Sequence, residues 1–215
     1  MTKKAINDKD GQWSSFVIIK RDNYLNKLIS SKHINLIKAV TGIRRSGKSF
    51  LLDPIFTNYL KETGVKKDHI IKIDLDDVSN YKFHDPQVLG SYIRKQIIDD
   101  NMYYIILDEI QFVSKFESLL KGLLKISNVD VYVAGSNSKF LSADIITEFR
   151  GRSQQIRIHP LSFKEFYESN NYSKQEAYNI YIRFGGMPLL NSFNAEEEKA
   201  KYLKDLFELT YFRVY

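Results

Sequence analysis

GIRRSGKS, residues 42–49, is the stretch whose reading decides the fold. It fits the pattern GxxxxGK[ST] through Gly42, Gly47, Lys48 and Ser49. Glycine lets the backbone turn so that successive N–H groups face phosphate oxygens. Lysine at Lys48 reaches the β- and γ-phosphates, and the Ser49 hydroxyl ligates Mg²⁺. Upstream, INLIKAVT (34–41) is a β-rich run that ends directly at Gly42. Downstream, residues 48–62 carry a helical pattern, which would present a positive dipole end to an anion. Strand, glycine loop and helix in that order are the context the pattern requires. The whole run Gly42, Ile43, Arg44, Arg45, Ser46, Gly47, Lys48, Ser49 and Phe50 is therefore assigned to nucleotide binding. Pro54 lies inside the following helix, where a proline costs about 3 kcal/mol, so a kink or early break is expected there.

Working outward, RDNYLNKLIS (21–30) reads as a short helix with Tyr24, Leu25, Leu28 and Ile29 on one face. HIIKIDL (69–75), YYIILDE (103–109), VDVYVAG (129–135) and QQIRIH (154–159) read as strands. The second of these is the most apolar, as befits a strand buried on both faces. Helical patterns at 86–99 and 115–127 separate them. Strands alternating with helices predict a parallel sheet covered on both faces. From LSFKEFYESN onward only helices are read, at 173–184 and 195–212, with GGMP (185–188) between them. The last pattern is still running at Tyr215, which points to continuation into a larger protein or to a helix that packs on a partner. The expected organisation is a flexible tail over 1–15, a nucleotide-binding core over 16–160 and a helical lid over 161–215.

Three further stretches fit the loop. In IILDEIQ an acidic pair follows an apolar strand, where a carboxylate is costly unless it has a task. Asp108 would hold Mg²⁺ through water, and Glu109 would orient or deprotonate the attacking water. VYVAGSNS ends a strand in small polar residues, so Ser136 or Asn137 could sense the γ-phosphate; the plainer reading is a Gly-Ser-Asn turn. EFRGRSQQIRI places Arg150 and Arg152 just before the fifth strand. An arginine there could stabilise charge on a second copy's γ-phosphate or on its own; the plainer reading is a solvated basic turn. A guanine-reading Asn-Lys-x-Asp run is missing after the loop, and the adjacent acids favour ATP hydrolysis over GTPase or kinase chemistry.

The net charge of +6 comes from 32 basic and 26 acidic residues interspersed along the chain. There is no basic block, so direct nucleic-acid binding is the weaker reading. The 43% hydrophobic content suits a folded core, and no apolar run approaches the roughly 18 residues that span a bilayer. The polar N-terminus has no signal-peptide core, and with no cysteine the chain reads as cytoplasmic. The histidines His33, His69, His84 and His159 show no metal-ligand spacing.

TGIRRSGKSFLL, IILDEIQFVSKFESLLKGL, VAGSNSKFLS, FRGRSQQIRIHPLSFKEF and YIRFGGMPLL follow one another in that order. Together they resemble the prokaryotic AAA+-type, signalling-ATPase-like proteins that usually carry a C-terminal domain of unknown function. The resemblance runs from about residue 16 to the end. It implies a three-layer P-loop NTPase sandwich with a five-stranded parallel sheet. The loop strand would lie between the fourth and fifth strands, with a helical lid after them. It implies ATP and Mg²⁺ as ligands, Lys48 and Ser49 on phosphate and metal, Asp108 and Glu109 as the acidic pair, Ser136 or Asn137 as sensor and Arg152 as the better finger. It implies Ile19 and Arg21 near the adenine, with Pro188 of GGMP close by. No arginine follows GGMP, which leaves Arg183 as a weak substitute for a lid arginine. The leading expectation is a Mg²⁺-dependent ATPase that moves its lid or an unidentified protein partner, with self-association through the finger. The rivals are an ATP-binding switch with little hydrolysis and a nucleic-acid-associated ATPase.

Overall fold

The computed structural model describes residues 19–135, 149 and 151–211. The expected tail, Ser136, Asn137 and Arg150 lie outside these residues. Two compact units are present: a core, Arg21–His159, and a helical unit from Pro160 onward that also includes Ile19 and Lys20.

The core begins with α1 (Asp22–Ser30) and β1 (Ile37–Thr41). After the glycine loop come α2 (Lys48–Phe50), a wider helical turn Leu51–Phe56 and α3 (Thr57–Glu62). Then follow β2 (Ile70–Asp74), α4 (Pro86–Gln96), β3 (Tyr103–Asp108), α5 (Phe116–Leu123), β4 (Val129–Ala134) and β5 (Ser153–Arg157). All pairings are parallel, and the strand order β2-β3-β4-β1-β5 places β1 between β4 and β5. The fold is an α/β P-loop sandwich with a five-stranded parallel sheet, as expected.

Alternation along the strands sorts the two faces. Ile105, Leu107, Val131 and Val133 pack with Leu89 and Ile93 of α4 and Leu119, Leu120 and Leu123 of α5. On the other face Phe56 meets Tyr132, ring centroids 4.6 Å apart. Each such fully buried side chain contributes roughly 1.5–3 kcal/mol. β1, β3 and β4 are covered on both faces, so they lose the polar alternation that the edge strand β2 keeps.

The helix after the loop breaks where Pro54 predicted. Asp53 is extended at φ −144, ψ 120, because the residue before a proline is driven out of the α region. Helix resumes at once, with the Thr57 hydroxyl donating to Asp53 Oδ1 at 2.6 Å. The regular α-helical turn directly behind the loop is Lys48–Phe50.

In the helical unit, α6 (Phe163–Ser169) and α7 (Lys174–Phe184) each start with a capping box, Ser162 with Glu165 and Ser173 with Glu176. Gly185 ends α7 at φ 75. A short turn Pro188–Ser192 and α8 (Glu196–Tyr211) complete the unit. Among the described residues no helix is long and apolar enough to cross a membrane.

Two polar networks support the N-terminal edge of the sheet. Lys38 of β1 and Asp130 of β4 form an ion pair whose side chains are 0% and 2% exposed. Tyr132 donates to Asp130 Oδ2 at 2.9 Å, and the His33 amide donates to the same oxygen at 3.1 Å. Leaving one charge of such a pair alone costs about 3–5 kcal/mol. Lys38→Met is therefore expected to lower unfolding free energy in urea by that order, and adding Asp130→Leu is expected to recover most of the loss.

The second network centres on His69, which stacks on Tyr103 at 4.4 Å. Its Nδ1 lies 2.8 Å from Asp68 and its Nε2 3.1 Å from Asp99. The bond to Asp68 raises its pKa above 6.5, burial opposes, and Asp99 adds to the rise. The folded imidazolium keeps its proton where the unfolded side chain loses it. Its stabilisation is thus full below about pH 6.5 and fades as pH climbs through the folded value. Melting temperature should fall as pH rises above about 6.5, and His69→Gln should flatten that slope in a thermal melt series.

Candidate functional site

Parallel strands bring their C-terminal ends to one edge, and the candidate site is assembled there. β1 runs straight into the loop at Gly42. A Cβ at Gly42 would lie 2.3 Å from the Ile158 carbonyl oxygen beyond β5, so only glycine fits. The Ser46 amide donates to the Ile43 carbonyl at 3.2 Å, closing a turn with Arg44 and Arg45 at its tip. Arg45 (φ 65) and Gly47 (φ 95) both adopt left-handed backbone. Ile43, Arg44, Arg45, Ser49 and Phe50 are exposed, while Ser46 and Lys48 are buried.

The Lys48 ammonium donates to the carbonyls of Gly42 at 3.2 Å and Ile43 at 3.1 Å. Burial lowers its pKa; the nearby charges of Glu109 and Asp108 oppose that, and Arg44 adds to it. The Ser49 hydroxyl lies close enough to Asp108, the last residue of β3, to bear on its ionisation. Burial raises the Asp108 pKa, the nearby Ser49 hydroxyl opposes, and the charges of Glu109 and Asp74 push it further up. Asp74 ends β2 in register with Asp108, so three carboxylates share this edge.

Glu109 leaves β3 at φ 51, ψ 47, a left-handed geometry costing about 1–2 kcal/mol for a side-chain-bearing residue. Its carboxylate accepts from the Gln111 side-chain amide. The structure therefore brings together Gly42, Gly47, Lys48, Ser49, Asp108 and Glu109. A hydroxyl near a carboxylate, beside a buried ammonium and a glycine cradle, is the hard-oxygen donor set that suits Mg²⁺ with a polyphosphate. Among the described residues no cluster of three or more His, Cys, Asp or Glu side chains forms a separate metal site.

Arg152 does not join this group. Its carbonyl accepts from the Ile37 amide, so it stands where β1 and β5 begin. The loop leaves the opposite end, a strand of five residues or roughly 16 Å away. An arginine finger acting on its own loop is thus corrected at Arg152; only a second copy's phosphate remains within the original expectation. Arg150, Ser136 and Asn137, the other finger and sensor candidates, lie outside the described residues.

Arg21 is only 5% exposed, and its guanidinium donates to the Ser46 carbonyl at 3.2 Å and the His159 carbonyl at 2.6 Å. Ile19 packs on Leu161, Phe166 and Ala177 within the helical unit. Pro188 opens the short turn there, and Arg183 pairs with Glu196. GGMP has a packing reason of its own: a Cβ on Gly186 would lie 2.1 Å from the Leu161 carbonyl oxygen. Sequence reasoning missed Gln111 and the partners of Arg21. Gln111 follows the acidic pair by two residues and was legible only as part of a turn.

The AAA domain family model matches residues 35–167. An uncharacterized protein of Haemophilus influenzae is 34% identical over 180 residues, covering 81% of this chain and 45% of its own length. One from Methanocaldococcus jannaschii is 29% identical over 213 residues, covering 91% of this chain and 46% of its own. The chain spans about half the length of these curated relatives. A solved structure of the replication initiator DnaA bound to AMPPCP and single-stranded DNA aligns with TM-score 0.48 at 16% identity, covering 88% of this chain and 67% of that one.

Gly42→Ala tests the cradle. The added methyl must displace the Ile158 carbonyl, at a cost of roughly 1–3 kcal/mol. Urea unfolding should show that loss, and titration with ATP should show weakened binding in the fraction that folds.

Proposed function

The chain belongs to the AAA-domain family of P-loop ATPases, and we propose that it binds ATP with Mg²⁺ and hydrolyses the terminal phosphoanhydride. The observation that carries this reading is the buried Lys48 ammonium, held by the loop carbonyls of Gly42 and Ile43 and near the carboxylates of Asp108 and Glu109, with Ser49 close to Asp108. Loop amides and Lys48 would hold the β- and γ-phosphates. Mg²⁺, held by Ser49 directly and by Asp108 through water, would neutralise charge between those phosphates when bound. Glu109 would take a proton from the attacking water as its oxygen bonds to the γ-phosphorus and ADP departs. Ser136 or Asn137 would report on the γ-phosphate. Arg152 or Arg150 of a second copy would stabilise charge developing there. Residues 161–215 would act as the lid, so that turnover moves this segment or a protein partner.

A second reading is favoured by one contact. The Gln111 amide already engages the Glu109 carboxylate, which must be released before it can act as a base. If it stays held, the chain is an ATP-dependent switch with little turnover.

ATP turnover with Mg²⁺, measured across protein concentration beside Glu109→Gln and Lys48→Ala, separates the two. Hydrolysis predicts that Glu109→Gln binds ATP but loses about 10²–10⁴-fold in rate. Lys48→Ala should lose binding. A specific rate that rises with concentration supports an arginine from a second copy. Tight binding by the unaltered chain with no turnover would overturn hydrolysis and leave the switch.

A further inference from the structure

Arg21 precedes α1 at φ 50, in the left-handed region, and its side chain is buried. The guanidinium carbon lies 4.7 Å from the Tyr24 ring centroid. Its two arms reach different segments: Nη1 donates to the Ser46 carbonyl at 3.2 Å and Nη2 to the His159 carbonyl at 2.6 Å. The His159 amide in turn donates to the Tyr24 hydroxyl at 3.2 Å. The first turn of α1 therefore ties the glycine loop to the chain leaving β5.

The Ser46 bond has a consequence for the next residue. In a trans peptide the carbonyl and the following N–H point in opposite directions. Holding the Ser46 oxygen therefore aims the Gly47 N–H away from Arg21. Gly47 sits at φ 95, and glycine tolerates many backbone orientations, so this peptide has little steric reason of its own to stay in place. A planar guanidinium can fork between two carbonyls, which a lysine ammonium does less well.

We propose that Arg21 is a positioning residue: by holding the Ser46 carbonyl it presets the Gly47 amide as a phosphate donor. The assignment rests on the ATP-binding reading above. It differs from a place for Arg21 against the adenine, because the phosphate and not the base feels the loss.

The test is calorimetric titration with Mg²⁺ and three ligands: ATP, GTP and inorganic tripolyphosphate. Arg21→Met should weaken all three by one common factor of about tenfold, the scale of one charge-assisted hydrogen bond. Arg21→Lys should recover part of that loss. Tyr24→Phe keeps the ring under Arg21 but loses the contact to His159, and should show a smaller loss of the same pattern. If Arg21→Met does not fold, Arg21→Lys and Tyr24→Phe decide: a loss common to all three ligands supports the proposal, and no loss overturns it. Unchanged tripolyphosphate binding with a lost preference between ATP and GTP would overturn it in favour of a base contact. If the unaltered chain binds neither ATP nor tripolyphosphate, the nucleotide reading fails first and takes this one with it. If it binds both and Arg21→Met matches it, only the positioning role fails.

Discussion

No side chain fits between Gly42 and the Ile158 carbonyl, and that close approach sets where the glycine loop leaves the sheet. β1 is flanked by β4 and β5, so its C-terminal end has little freedom to tilt. The loop must turn immediately, and the turn closed by Ser46 and Ile43 is the result. Because every pairing is parallel, the same edge receives the end of β3 and its acids. Ser49 meets Asp108 through this topology, although 59 positions separate them by their residue numbers and β4 intervenes in the sheet.

Charge at this edge is balanced in layers. Lys48 is buried beside two carboxylates and is held by two carbonyls of its own loop. Burial raises the Asp108 pKa, and the neighbouring charges of Glu109 and Asp74 add to the rise. The left-handed turn at Glu109 takes that carboxylate off the line of β3 and into reach of Gln111. Arg21 braces the loop through bonds to the Ser46 and His159 carbonyls. The cationic and anionic groups thus stand on rigid backbone positions, which is the arrangement that electrostatic preorganisation requires.

Much of this was legible in the sequence because local pattern and local chemistry coincide. The loop is contiguous, the strands are apolar runs, and Pro54 marks its own break. The order of the strands was supplied by family resemblance, since alternation alone does not say that β1 sits between β4 and β5. Other features depend on long-range contact and left no local trace. Lys38 and Asp130 are 92 positions apart, and no local pattern pairs them. Arg21 read as a base-lining residue, but its guanidinium bonds backbone carbonyls 25 and 138 positions away. Arg152 sat in a promising motif, yet the register of β5 on β1 carries it to the far end of the sheet.

The buried pair at that far end bears on the site through register. Lys38 lies opposite Tyr132 and shares its face with Asp130, while Ile37 and Ala39 face the apolar cluster under α4 and α5. Side chains alternate along a strand, so a slip of one residue would turn Lys38 into that cluster and leave Asp130 unpaired. Such a slip is penalised twice, by a charge placed among aliphatic groups and by a second charge stranded in the core. The β1–β4 register is therefore specified more sharply than interchangeable apolar residues could specify it. β3 pairs with β4 in turn, so the same register determines how far Gly42 stands from Asp108. A network with no part in the chemistry in this way sets the spacing on which the chemistry depends.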